Sequence, residues 1–199
     1  MAVIKHHKFV AVLPATLEAN SIYYVRVGAG FDIYVTNSSG TLIAYPLNPS
    51  VQQTLHVRDE KPTGTDGGTF TSGADRTRDL NTVVTNTITG ASLLGNQVTL
   101  PSGTYDIEAY ATAYQVAASK ARLTTSAGTV LLVGSSAYGG VNTAANVASF
   151  VRGRLVLGST TVIELRHQCG TTSATNGFGR AASIAGAVEV YSDLQIKKV

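Results

Sequence analysis

The chain has 199 residues with a single cysteine, 15 Lys or Arg against 12 Asp or Glu, and a net charge of +3. Cys169 alone excludes an intrachain disulfide and any paired-cysteine zinc motif, and the scattered basic residues argue against a nucleic-acid partner, whose footprint is a basic stripe with interleaved aromatics. Only 14% of residues are charged while 44% are hydrophobic, so a chain without helices to hide that surface is expected to bury it between subunits.

The N-terminal "MAVIKHHKF" is basic but is followed by neither an apolar run of about 7–15 residues nor a small-residue cleavage site, so no secretory signal is expected. No stretch approaches the roughly 18 consecutive apolar residues of a membrane span, so no membrane insertion is expected. Short alternating runs of Val, Ile, Thr and Tyr between Gly, Ser and Asn clusters predict an all-β chain. Residues 1–50 are predicted to form a small three-stranded meander, with strands near 22–27, 31–36 and 41–45 and turns at "GAG" and "NSSG". Gly28 and Gly30 lack the third glycine and the following helix of a dinucleotide site, so they read as a hairpin turn.

A second region, residues 55–199, begins at "TLHVRDE". Residues 62–75 form a long Gly/Thr-rich loop, expected to be a covering flap or mobile. Strands are then predicted near 78–87, 96–100, 104–112, 119–125, 129–136, 148–157, 161–169 and 187–197. Their number and spacing suggest a sandwich or jelly roll, and no internal repeat points to a β-helix or propeller.

The segments "TVVTNTITGAS", "NQVTLPSGTYDIEAYAT", "KARLTTSAGTVLL", "SFVRGRLVLGSTTVIELRH" and "VEVYSDLQIKKV" resemble successive strands of the complement globular-head and tumour-necrosis-factor-like (C1q/TNF-like) jelly roll. The pattern from Val98 to Ile107, with Pro101, Gly103 and Tyr105 in register, carries the match. The run from "LHVRDEKPTGTDGGTFTSG" onward is also similar to the terminal domains of bacteriophage and prophage tail-fibre proteins, and "LPATLEANSIYYVRVGAGFDIYVT" resembles segments that precede them. The resemblance implies a ten-stranded sandwich that assembles as a homotrimer with receptor-binding surfaces. The sequence shows no long fibre shaft, and no catalytic signature lies among the matching positions.

Asp106 and Glu108 share one face of a strand, at a separation that also suits glycosidase chemistry. A same-strand pair more commonly meets cations across strands or subunits, with Arg122, Arg152, Arg154 and Arg166 as candidates; a metal site and catalysis are the alternatives. Under the resemblance this face meets neighbouring subunits, giving a trimer interface of Asp106, Glu108, Tyr110, Tyr191, Asp193 and Gln195. Tyr105, Ile107, Ala109, Ala111, Leu194 and Ile196 are expected inside the sandwich. His167 and Cys169 fall on the apolar parity and read as a satisfied core histidine and a buried thiol rather than a nucleophile pair. His6 and His7 supply too few ligands for a metal site, Asp66 reads as a turn residue, and Asn37-Ser38-Ser39 as a turn despite its glycosylation pattern. No metal and no cofactor is expected.

If the strands from residue 104 onward alternate in direction, the connections at 113–118, 137–147 and 170–186 gather at one end and those at 126–128 and 158–160 at the other. The long connections combine aromatics with Gly, Ser, Thr and Asn, a mixture suited to stacking on sugar rings and bonding hydroxyls. The candidate receptor-binding residues are Tyr114, Tyr138, Asn142, Asn146, Asn176, Phe178 and Arg180, the alternative being that these loops are tolerant, solvated connections. The expectation is a non-enzymatic tail-fibre or tail-tip protein of a phage virion, made in the host cytoplasm. Its partners would be itself as a homotrimer, a host-surface receptor such as a polysaccharide, and other tail or baseplate proteins, with residues 1–50 serving attachment or trimer support. A structural fibre or baseplate cap and a glycan-degrading tail enzyme are the other readings.

Overall fold

The computed structural model describes residues 6–28, 30–39, 45–46 and 52–199. The chain divides into two compact units, Met1–Val51 and Gln52–Val199. In the first, β1 (His6–Val10), β2 (Ser21–Val27), β3 (Gly30–Val35) and β4 (Tyr45–Pro46) form one sheet in that order. The β2–β3 hairpin places Val27 opposite Gly30, with Gly28 at φ +57°, so the "GAG" glycines make a turn. Asn37 accepts hydrogen bonds from the Ser39 backbone and hydroxyl, also a turn. The expected meander gains β1, which pairs parallel to β2. "HHKFV" has too little apolar alternation to announce a strand, and the parallel crossover delivers Leu17 onto the small core of Tyr23 and Val25. Most of the strand expected at 41–45 lies outside the described residues.

The second unit is a sandwich. One sheet has the order β13 (Asn146–Leu157), β10 (Gly103–Tyr114), β15 (Glu189–Lys198), β5 (Thr54–Lys61), β7 (Thr82–Asn86). The other has the order β12 (Val130–Gly139), β11 (Ala117–Thr125), β14 (Thr161–Cys169), β9 (Gln97–Leu100), β8 (Ser92–Leu94), with β6 (Arg76–Thr77) beside β14. All pairings in this unit are antiparallel, and the chain passes repeatedly from one sheet to the other between β10 and β15. This is a jelly roll, with the ten principal strands that the C1q/TNF-like resemblance implies.

Alternation fixes what faces inward. Tyr105, Ile107, Ala109 and Ala111 from β10 and Leu194 and Ile196 from β15 are buried, meeting Leu123, Ile163 and Leu165 of the facing sheet in one core. Each fully buried Leu or Ile contributes about 1.5–3 kcal/mol relative to exposure. Tyr105 also donates its hydroxyl to the Pro101 carbonyl at 2.8 Å, closing the turn that enters β10. Strand β8 was not foreseen; it forms a hairpin with β9 through Gly95 and Asn96, both at positive φ (57° and 67°), as a two-residue hairpin turn requires. The strand expected over 78–87 is shorter because the backbone at Arg78 still donates to the Leu165 carbonyl of β14 in the other sheet, and pairing with β5 begins only at Thr82.

Candidate functional site

Strands β10, β12 and β13 run further than expected, so the connections shrink to 115–116 and 140–145, beside the longer 170–188. Hydrogen bonds join these connections at one end of the sandwich. The Tyr114 amide donates to the Gly177 carbonyl at 2.9 Å, and the Thr171 amide donates to the Val116 carbonyl at 3.0 Å. The Asn146 side chain bridges Arg180, accepting from its amide and donating to its carbonyl, both at 2.8 Å. The 62–75 segment proves to be a strap: Gly67 donates to Gly179 at 2.8 Å, Gly68 donates to Thr175 at 2.9 Å, and Phe70 bridges Ser173. Asp66, expected as a turn residue, accepts from the distant Ala181 amide at 2.8 Å and so ties the strap to the 170–188 connection. At the base of 181–188 the Glu189 carboxylate accepts amides of Gly64, Ala182 and Ser183, which hold it below its ordinary pKa.

Under these loops lies an arginine that the sequence did not announce. Arg78 is buried with its ring neighbour Phe178 at 4.1 Å, and donates to the carbonyls of Thr112, Phe178 and Tyr191 at 3.2, 3.2 and 3.0 Å. Burial lowers its pKa to about 10, although the nearby Asp59 and Asp79 charges oppose the change. It links β10, β15 and the 170–188 connection through one planar group. Phe70 stacks on Phe178 at 4.4 Å and lies 4.8 Å from His167. His167 is buried without a hydrogen-bond partner at either ring nitrogen, and burial followed by the Arg78 charge pushes its pKa down to about 3. Burial also raises the Cys169 thiol. Both sit on the apolar parity as expected, and the histidine is neutral but not satisfied.

Tyr138 is 75% exposed and Asn142 is exposed, as binding residues should be. Tyr114 and Phe178 require correction. Tyr114 is only 4% exposed because β10 continues to it, and its hydroxyl accepts from Arg180 at 3.0 Å. Phe178 is half-buried, drawn in by the bond of its amide to Gly68 and by the Phe70 and Arg78 stacks. Neither offers a free aromatic face. Asn176 is half-buried and accepts from the Ser173 hydroxyl, and Asn146 is exposed but its amide is engaged by Arg180.

On the outer face of the β13-β10-β15-β5-β7 sheet, Arg154 donates to Asp106 through Nε and Nη2 at 2.8 and 2.9 Å, and Arg152 pairs with Glu108 at 2.6 Å. The hydrogen bonds from Arg154 hold the Asp106 carboxyl below its ordinary range. The ion-paired reading of Asp106 and Glu108 describes this geometry, with both cations supplied by β13 of the same chain. Arg122 and Arg166 pair elsewhere, with Asp75 and Glu164. Tyr110 packs near Phe150 at 6.2 Å, Asp193 pairs with His56 at 2.6 Å, and Gln195 helps line a cavity of about 290 Å³ with Glu108 and Lys197. Tyr191 departs from the expectation. A register shift between Val190 and Ser192 turns it inward, where it is 2% exposed and donates to the Thr65 carbonyl at 2.7 Å. Among the described residues no group of three or more His, Cys, Asp or Glu could hold a metal ion. No described helix is long and apolar enough to cross a membrane.

No protein-family model matches the sequence, and no curated protein matches it. The fold is similar to murine APRIL at pH 5.0, with 11% identity, 75% of this chain and 100% of that chain covered, and a TM-score of 0.49. It is also similar to the globular domain of zebrafish complement 1qA, with 12% identity, 75% and 98% covered, and a TM-score of 0.43.

Proposed function

We propose that this chain is a phage-type tail-fibre or tail-tip receptor-binding protein, carried on the virion, that attaches to a host-surface glycan or protein through the loop end of a trimer. The observation that carries the reading is that loop end. Four separate segments are hydrogen-bonded into one preorganised polar surface that still exposes Tyr138 and Asn142. The biological setting is taken from the resemblance read in the sequence to phage terminal domains. Trimerisation would raise avidity by letting several weak sites act together, and residues 1–50 would serve attachment to other tail or baseplate proteins or support the trimer. The outer face of the β10 sheet, with its ion pairs and the Tyr110 and Phe150 rings, is the surface offered to neighbouring subunits.

Binding of the intact protein to host cells and to a glycan array tests the reading. Replacing Tyr138 and Asn142 together with alanine is expected to abolish adsorption while leaving the oligomer intact; unchanged adsorption would remove the loop end as the contact. Light scattering is expected to give about three times the 20.7 kDa chain mass. A monomer at low concentration overturns the trimer.

A further inference from the structure

The outer face of the other sheet carries a groove that the loop contacts do not use. Strand β11 lies between β12 and β14, and the register sets Lys120 opposite Ser136 on one side and Gln168 on the other. These three residues, with Ala118 and Gly170, line a cavity of about 300 Å³. That volume suits a single sugar unit rather than a polymer strand. Two residues along the register, the next pair on this face sets Ala118 opposite the exposed Tyr138, so an aromatic ring stands at the same end of the same face.

The polar groups of the groove are of one kind. Two residues further along β11, Arg122 is neutralised by Asp75 at 3.2 Å, and it donates to the side-chain amide oxygen Oε1 of Gln168 at 3.2 Å. That bond fixes the Gln168 amide so that its NH₂ is left to donate. Arg166 is neutralised by Glu164, its neighbour on the same strand face. Among the described residues Lys120 has no such partner, and none that lines the cavity is acidic. An ammonium, an amide NH₂ and the Ser136 hydroxyl therefore surround small floor residues, an arrangement that favours an anion carried on a flat, hydroxylated body.

We propose that this groove binds an acidic saccharide unit, its anionic group on Lys120 Nζ, its hydroxyls on Gln168 and Ser136, and its ring edge against Tyr138. The inference rests on the receptor-binding reading and narrows it to anionic glycans. The anion has two chemical sources, a uronic-acid carboxylate and a sugar phosphate.

The test is isothermal titration of the full-length oligomer with three probes: a hexuronate oligosaccharide, its neutral hexose counterpart, and a phosphorylated hexose oligosaccharide. An acidic probe is expected to bind and the neutral one not, and the better acidic probe identifies the source. Lys120→Gln is expected to weaken that binding by about tenfold or more, the equivalent of one charge-assisted hydrogen bond, and Lys120→Arg to retain most of it. Equal binding of neutral and acidic probes, or an unchanged Lys120→Gln titration, overturns the groove. If host cells are then still bound through Tyr138 and Asn142, the receptor-binding reading stands without it; if the protein binds neither cells nor any saccharide, both fall.

Discussion

Arginine is used in two opposite ways in the jelly roll, and the contrast separates the loop end from the outer face of the β10 sheet. At the loop end Arg78 is buried, faces three backbone carbonyls and holds together segments distant in sequence. On the sheet face Arg152 and Arg154 are largely exposed and meet carboxylates on the adjacent strand. The first kind determines geometry, because removing it leaves carbonyls unpaired in a low-dielectric interior. The second tunes a surface that water solvates well without it.

The largest effect should follow loss of the buried guanidinium. Arg78→Met keeps the apolar stem but leaves the Thr112, Phe178 and Tyr191 carbonyls short of a donor, and is expected to cost about 3–5 kcal/mol. Urea denaturation measures the loss, and amide exchange should show the 170–188 connection opening before the core strands. A cost below about 1 kcal/mol would remove the distinction between the two kinds of arginine.

Gly179 should come next. Its φ is +143°, and a Cβ there would collide with the Tyr191 ring and the Thr112 hydroxyl. Gly179→Ala is expected to cost about 2–3 kcal/mol through strain and displacement of the loop, read as a lower thermal midpoint.

His167 sharpens the comparison through pH. Its folded pKa of about 3 lies below the unfolded value, so the native state stays unprotonated while the unfolded chain takes up a proton. The stability from this group is present above about pH 6.5 and is lost as pH falls toward the folded pKa, with about 2 kcal/mol gone by pH 5. The depressed Asp106, Glu164 and Glu189 carboxyls lose their contributions only below the ordinary carboxylate range, so they do not add to the histidine's effect between pH 6.5 and 5. His167→Met should flatten the urea midpoint across that interval.

The sequence disclosed the strands of the sandwich because alternation is a local signal. Residues 104–112 could be assigned an inward row from their own pattern, and the Pro101 to Tyr105 turn marked where the strand begins. The gathering of three connections at one end also followed, since it needs only strand direction. What was illegible depended on partners far along the chain. Arg78 sits in "DRTRDLNT", which reads as a charged strand start; only the fold reveals three carbonyls around it. Tyr114 and Phe178 read as loop aromatics because the burial of Tyr114 depends on how far β10 runs and that of Phe178 on the strap at 62–75, whose Gly67, Gly68 and Phe70 hydrogen bonds carry no sequence signal. Tyr191 was misplaced by a single register shift, which reverses the facing of every residue beyond it until corrected. Parity thus located the faces, while long-range hydrogen bonds decided which residues on them remain available.

The smallest effect belongs to the exposed pair. Asp106 and Arg154 form a bidentate contact of good geometry, yet each side chain is about half open to water, so solvent screens most of the attraction. Replacing both with alanine is expected to leave the urea midpoint of the isolated subunit essentially unchanged. If the face is a subunit contact, the same double change acts on assembly instead, because desolvation at an interface magnifies a charge pair that is weak in water. Comparing unfolding at very low protein concentration with light scattering at high concentration separates the two. Loss of the oligomer with an unchanged subunit would place the pair at the interface, whereas equal small changes in both would leave it an ordinary surface ion pair.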